Sequence, residues 1–598
     1  IEVAAVRACR VDSQHEIDAV SYTHLTLPRE SLFHFDENEL LQTGTAVSRS
    51  EERRRVSLFV HRERYGRFLS CLVLIPRERF NTQARDRVQR ILTTAFEAAD
   101  TEFAVQLTAS RQARVNFVLR VDPTSAYGGD FDIPALEEEL NSATRTWSDQ
   151  VQEAINESFG EEPGPILAKR YSDAFKQDFQ EHYNCRIAAH DIGRIEQLSD
   201  ERPVSINLYR PLEFDNSRVK LRLYERGSAT SLSTTLKTLE NMGLTISEAR
   251  PSRVDPAGRK PVWVHDFTAS HKVANGLDVD SVADRFVDAF LEIIGGNASD
   301  DALNRLVIFA SLDWHEVIAL RAYSRYLLQI GVPFSQTYMR KTLSGNPQIT
   351  RALVDLFHAR FDPATANKQA EQSLRSDIES MLASVVSLDE DRILRSFLAV
   401  ISATLRTNYY QRDTDGRPRN YVSIKLDPAA VPELPAPRPR FEIFVYSPRV
   451  EGVHLRGGKI ARGGLRWSDR REDFRTEVLG LVKAQTIKNA IIVPHGAKGG
   501  FVPKKIEQAS DRLEEGKACY RPFIRGLLDV TDNLVGDTIV PPADVVRHDD
   551  DDPYLVVAAD KGTASFSDIA NEIAAEYGFW LGDGFASGGS VGYDHKAM

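Results

Sequence analysis

Lysines, arginines and glycine pairs concentrate in one stretch of this 598-residue chain, Lys459–Phe501, KIARGGLRWSDRREDFRTEVLGLVKAQTIKNAIIVPHGAKGGF. Gly463-Gly464 and Gly499-Gly500 lack a Cβ and let backbone approach a ligand closely. Lys498 stands between Ala497 and Gly499, so its neighbours give it little cover. A lysine placed in this way serves as a general base, or as an electrophile at a carbonyl. Arg462, Arg466 and Lys488 are cations suited to carboxylates. Three such cations around one reactive lysine suit a substrate with two carboxylates and a reacting amine or carbonyl. Lys498 alone would read as an ordinary solvated turn lysine; the constellation is what points to chemistry. GAKGGF is not a phosphate loop, because Gly499 follows the lysine where that motif needs Ser or Thr. Further on, Asp560 follows the apolar run Leu555–Ala559, the pattern of a strand that delivers a carboxylate at its end. Its structural alternative is to cap a helix beginning near Ser567, but Ser565 or Ser567 fills that role better.

These residues need elements to hold them. A helix is predicted from about Arg471 to Asn489, with Val478, Leu481, Val482, Gln485 and Lys488 along one side. Ala490–Val493 is predicted as a short buried strand ending in the loop Pro494–Gly500. Lys488 then projects near a helix end and Lys498 near a strand end, where open α/β sheets bind ligands.

In this order the motifs resemble glutamate dehydrogenases. The resemblance is carried by Arg462-Gly-Gly-Leu-Arg466, a helix bearing Lys488, Gly496-Ala-Lys498-Gly-Gly500, and Asp560-Lys-Gly562. The wider text GGLRWSDRREDFRTEVLGLVKAQ is similar to the large NAD-specific bacterial subfamily more than to the short hexameric enzymes. The resemblance implies oxidative deamination of L-glutamate to 2-oxoglutarate and ammonia, with NAD as cofactor. It implies that Lys498 is catalytic, that Asp560 exchanges protons with the substrate amine, that Lys488 binds the α-carboxylate and that Arg462 binds the distal one. Gly463, Gly464, Arg466 and Gly499 complete the expected substrate site. A cytoplasmic homo-oligomer is expected. Two departures stand out: Arg462 replaces a lysine, and His495 stands where the short enzymes have Gly. The run Gly582–Gly592 has Ser587 where a dinucleotide fingerprint needs its third glycine. The family's nucleotide-binding domain is therefore expected beyond Met598, and this chain is expected to be a fragment inactive alone. The competing reading is a non-catalytic amino-acid-binding regulatory or assembly protein; a lyase without a nucleotide is a third.

Elsewhere the fold class is multidomain α+β and α/β. Residues 56–122 alternate with period 2 and predict ββαββ. Residues 217–270 repeat the theme, with Leu232, Leu236, Leu239 and Met242 on one helix face and Gly243 at its C-terminal end. Both resemble ACT-type regulatory modules, which bind amino acids in other proteins; an amino-acid effector is one reading, and a generic α+β sandwich with no ligand is the other, because the pattern identifies topology and not a pocket. Residues 298–410 read as amphipathic helices, and Pro428–Pro439 as an extended linker. The domains are taken as 1–55, uncertain; 56–205, ACT-like with a helical extension; 206–297, a second ACT-like module; 298–415, helical; and 416–598, the substrate domain. Ser21–Pro28 reads as translated sequencing-adapter DNA, and residues 1–30 carry no functional assignment. Asp549–Asp552 lacks EF-hand-like spacing and reads as a solvated loop, so no metal site is expected. A formal charge of -11 argues against a nucleic-acid partner. No apolar run is long enough for a bilayer, and the four cysteines have neither disulfide nor zinc spacing.

Overall fold

The structure is a computed structural model that describes residues 43–47, 50, 55–63, 65–107, 111–122, 131–273, 276–432, 434–489, 495–559 and 566–587. The chain divides into two compact units, one of residues 1–196 with 254–259, the other of 197–253 with 260–598.

In the first unit, strands β1 (Ser57–Arg62) and β2 (Phe68–Pro76) precede helix α1 (Thr82–Ala95). Strands β3 (Asp100–Leu107) and β4 (Gln112–Arg120) follow, giving an antiparallel sheet ordered β1-β2-β4-β3. This is the predicted ββαββ order. Val56, Leu58, Cys71, Val73 and Ile75 pack on Val88 and Leu92 of α1, each set at the spacing its element requires. The Asn81 side chain accepts from the Ala84 N–H and starts α1. Helix α2 (Ile133–Thr144) adds Leu140 to the same core. Four helices complete the unit: α3 (Trp147–Phe159), α4 (Pro163–Tyr171), α5 (Gln177–His182) and α6 (Cys185–Glu196).

The second unit opens with β5 (Val204–Tyr209), β6 (Arg218–Arg226), α7 (Leu232–Asn241), β7 (Leu244–Val254), β8 (Val262–His271) and α8 (Val279–Ile294). Its sheet is ordered β5-β6-β8-β7, the same arrangement as the first. Gly243 has φ +94°, and a Cβ there would stand 3.1 Å from Arg305 Cβ, so the turn out of α7 needs glycine. Next come the helices α9 (Leu306–Phe309), α10 (Trp314–Gln329), α11 (Gln336–Gly345), α12 (Pro347–Phe361), α13 (Lys368–Leu382) and α14 (Leu388–Ala403).

A seven-stranded sheet then carries the site. Its strands are β9 (Thr404–Thr407), β10 (Val422–Leu426), β11 (Phe441–Tyr446), β12 (Val450–Arg456), β13 (Gly463–Trp467) and β14 (Ala497–Pro503). After a small hairpin of β15 (Asn533–Val535) and β16 (Thr538–Val540), β17 (Val557–Ala559) completes it. The order is β17-β13-β14-β12-β11-β10-β9; β13 runs parallel to both β14 and β17. Helix α15 (Phe474–Asn489) covers one face, where Phe474, Val478 and Val482 share a core with Val453, Leu455 and Val502. Helix α16 (Arg512–Leu528) covers the other, packing Phe523 and Leu527 among Ile443, Val445, Leu465 and Phe501. Helix α17 (Ser567–Glu576) begins where the sequence places it.

The Pro-rich stretch is not a free linker. Val431 and Leu434 are buried in the core beneath it, so it is packed chain whose prolines fix the path.

Candidate functional site

The site is built where β13, β14 and β17 lie side by side. Leu465 pairs with Gly499, Arg466 with Gly500, and Arg462 bridges Gly496, so the row below Leu465–Gly499 sets Gly464 beside Lys498. Gly464 in turn pairs with Ala558. Lys498 therefore stands beside Gly464 and, one strand further on, Ala558, neither of which has bulk to cover it.

The pleat gives its direction. A Cβ on Gly500 would stand 2.7 Å from Val478 Cγ2, toward α15, and a Cβ on Gly499 would stand 2.5 Å from Leu465 Cδ2, on the opposite face. Residues two apart share a face, so Lys498 lies on the α15 side, with Leu455 of β12 as its cross-strand partner. Lys498 is half-buried and engaged with its surroundings.

The glycines are required by contact. A Cβ on Gly463 would stand 1.4 Å from the Ala497 carbonyl oxygen. Gln485 of α15 donates from Nε2 to the Arg462 carbonyl at 2.8 Å, and its Oε1 sits where a Gly496 Cβ would come to 2.6 Å. The helix thus docks on the bridge between Arg462 and Gly496 through one amide. The Arg462 side chain is exposed at the rim. His495 is exposed and lies over Gly458, whose Cβ would meet its ring at 2.7 Å.

Arg466 is half-buried, and its Nε lies 3.0 Å from Glu477 Oε1, while Ser468 donates to the other oxygen of Glu477 at 2.5 Å. Its guanidinium is thus shared with α15. Helix α15 runs to Asn489 and so includes position 488, but the Lys488 side chain lies outside the described residues. So do the predicted strand Ala490–Val493 and Asp560, which follows the last described residue of β17.

Two features escaped the sequence reading. His454 on β12, opposite Gly499, is fully buried with neither ring nitrogen hydrogen-bonded, and burial and Arg456 depress it to about 3. A lone imidazole in an apolar strand gave no signal. The run Asp549–Asp552 was expected to be solvated, and this is corrected: Asp552 is 1% exposed and joined to Arg456 and Lys425, and Asp549 joins Lys425 and Arg406. Only Asp550 and Asp551 face solvent. The ion-pair partners of Asp549 and Asp552 are 96 or more residues away, which no local pattern shows.

Known proteins place this arrangement. The family described as "Bacterial NAD-glutamate dehydrogenase, catalytic domain" matches residues 377–598. Glutamate dehydrogenase helical motif 3 matches 298–363, the ACT2 domain 57–148, the ACT3 domain 203–282 and helical motif 2 154–198. The class is a dehydrogenase catalytic domain preceded by ACT and helical modules. The NAD-specific glutamate dehydrogenase of Halomonas elongata is 51% identical over 96% of this chain and 36% of its own length. That of Pseudomonas aeruginosa is 49% identical over 96% and 36%, and that of Mycobacterium tuberculosis 43% over 96% and 37%. The chain belongs to the large NAD-specific glutamate dehydrogenase family, and it spans about a third of the length of these curated relatives.

Proposed function

We propose that this chain carries the substrate site of an NAD-dependent glutamate dehydrogenase, which deaminates L-glutamate oxidatively to 2-oxoglutarate and ammonia. The observation that supports this most is the row Gly464–Lys498–Ala558, a lysine held at parallel strands beside residues without bulk. In the proposed mechanism the Lys498 ammonium polarises the carbonyl or imine carbon of the substrate. Asp560, next after β17, exchanges protons with the amine. Lys488 and Arg462 hold the two carboxylates. Arg466 orients the floor through Glu477.

The relatives' names imply NAD. Among the described residues no Gly-rich strand–turn–helix of dinucleotide type is present; Gly582–Gly584 is a 3-10 turn. The residues described do not fit the dinucleotide, and the steps above are those of this chain's own side chains.

The two ACT modules support an amino-acid effector as a further partner, and a cytoplasmic homo-oligomer is part of the same proposal. Calorimetric titration of the chain with 2-oxoglutarate tests the substrate assignment. Binding that weakens at least about tenfold in both Arg462→Ala and Lys488→Ala is expected for lost charge-assisted contacts. Unchanged affinity in both variants contradicts the carboxylate roles.

A further inference from the structure

Just ahead of β17 in the chain, residues 549–552 enter a buried ionic network. Its cations are Arg406 of β9, Lys425 of β10 and Arg456 of β12, each 1% exposed or less. Its carboxylates are Asp532, Asp549 and Asp552. Arg406 donates to both oxygens of Asp532, at 2.8 and 3.1 Å, and to Asp549 at 2.5 Å. Lys425 Nζ reaches Asp549 at 2.6 Å and Asp552 at 2.7 Å. Arg456 pairs with both oxygens of Asp552, one at 3.0 Å. The Asp552 N–H donates to Asp532 at 2.7 Å. Half-exposed Arg547 touches the edge, 3.4 Å from Asp532. Three buried cations thus meet three carboxylates.

Burying six charges is a poor way to gain stability, since well-packed apolar residues of similar volume do as well or better. What such a network supplies is direction: each hydrogen bond fixes an atom at a set angle and distance. The atoms fixed here belong to residues 549–554, the approach to β17. The same Arg456 guanidinium that grips the Asp552 carboxylate also donates to the Tyr554 carbonyl at 2.6 Å. Arg456 is itself the strand partner of Ala497, and its neighbour Leu455 is the partner of Lys498. One side chain therefore ties the strand beside Lys498 to the segment that runs on to Asp560.

We propose that Asp552, acting through Arg456 and Lys425, is a positioning residue that sets where β17 runs relative to the strand carrying Lys498, and on that placement the proposed role of Asp560 depends. This rests on the proposed roles of Asp560 and Lys498. Asp552 is buried and acts through its partners: it ties residues 552–554, which lead into β17, to Arg456 on the strand that pairs with the one carrying the lysine. Misplacement of a reacting group by about 1 Å can cost ~10²-fold in rate.

The test uses a full-length protein carrying this chain, with steady-state kinetics and thermal unfolding on Asp552→Asn, Asp552→Glu and Asp560→Asn. The expected result is a fall in kcat of about 10²-fold for Asp552→Asn, with KM for glutamate within about twofold. Asp552→Glu keeps the charge and recovers part of kcat. If Asp552→Asn does not fold, the charge-balanced pair Lys425→Gln with Asp552→Asn replaces it, and the same loss in kcat is expected. A folded Asp552→Asn, or that folded pair, with parental kcat beside an inactive Asp560→Asn overturns the positioning role alone. An active Asp560→Asn overturns the reading on which it stands. A rise in KM at constant kcat also overturns it, because that is lost binding and not lost alignment.

Discussion

Arg475, in the first turn of α15, and Glu442, on β11, form a bidentate ion pair buried on all sides, with Nε–Oε1 at 2.6 Å and Nη2–Oε2 at 2.8 Å. The pair anchors one end of the helix whose other end carries position 488. Glu442→Gln leaves an unbalanced buried guanidinium and should destabilise the chain by about 3–5 kcal/mol, whereas Glu442→Leu with Arg475→Met should recover most of that. Urea unfolding of the three proteins measures both. Equal losses in the single and double variants contradict the account.

The glycines make a paired prediction. Gly463→Ala puts a Cβ 1.4 Å from the Ala497 carbonyl oxygen, and backbone on both sides leaves no way to yield. It should open the β13–β14 pairing and abolish dicarboxylate binding. Gly480 is exposed on α15 and nothing lies within 4 Å of its missing Cβ, so Gly480→Ala should stabilise by roughly 0.5–1 kcal/mol. Circular dichroism melts and calorimetry on the two variants distinguish a site glycine from an incidental one.

Acid should weaken the fold through two buried histidines. His454 and His315 are each depressed to about 3, in both cases chiefly by burial. An unfolded histidine titrates near 6.5, so below that pH the unfolded chain binds protons that the folded chain refuses. Their contribution is complete above about pH 6.5 and is lost as pH falls toward 3. Each histidine adds a slope of up to about 1.4 kcal/mol per pH unit in that window. Unfolding midpoints between pH 7.5 and 4 should fall more steeply in the parent than in His454→Leu. Parallel curves would show that His454 is not the acid-sensitive group.

The sequence made the modules legible because their cores are local. In residues 56–122, Val56 and Leu58, then Cys71, Val73 and Ile75, then Val115, Phe117 and Leu119 alternate into the core against Val88 and Leu92 of α1, while β3 adds nothing to it; period separates strand from helix in the elements that build the core. Strand β5 was missed: it is short, and Ser205 and Asn207 break the apolar run. The glycine pairs and Lys498 were legible only as a constellation, because two Gly pairs and the cations Arg462, Arg466, Lys488 and Lys498 fall within one short stretch; a lysine between small residues is by itself an ordinary turn. The ionic network was not, since Arg406 lies 126 residues from Asp532 and a charge in a sequence carries no sign of its partner. Gln485 stood out only as a polar residue on an apolar side; its bond to the Arg462 carbonyl depends on two glycine loops meeting, which is a tertiary fact.

The central claim is that Lys498 performs chemistry on a dicarboxylate, and steady-state NADH formation from glutamate by a full-length protein carrying Lys498→Ala tests it most directly. Lys498 is a half-buried strand residue beside Gly464, so the variant should fold with an unchanged melting temperature. The account predicts a fall in kcat of about 10²–10⁴-fold, the usual range for losing a positioned proton-transfer or polarising group. Turnover within about twofold of the parent, in a folded variant, would contradict it.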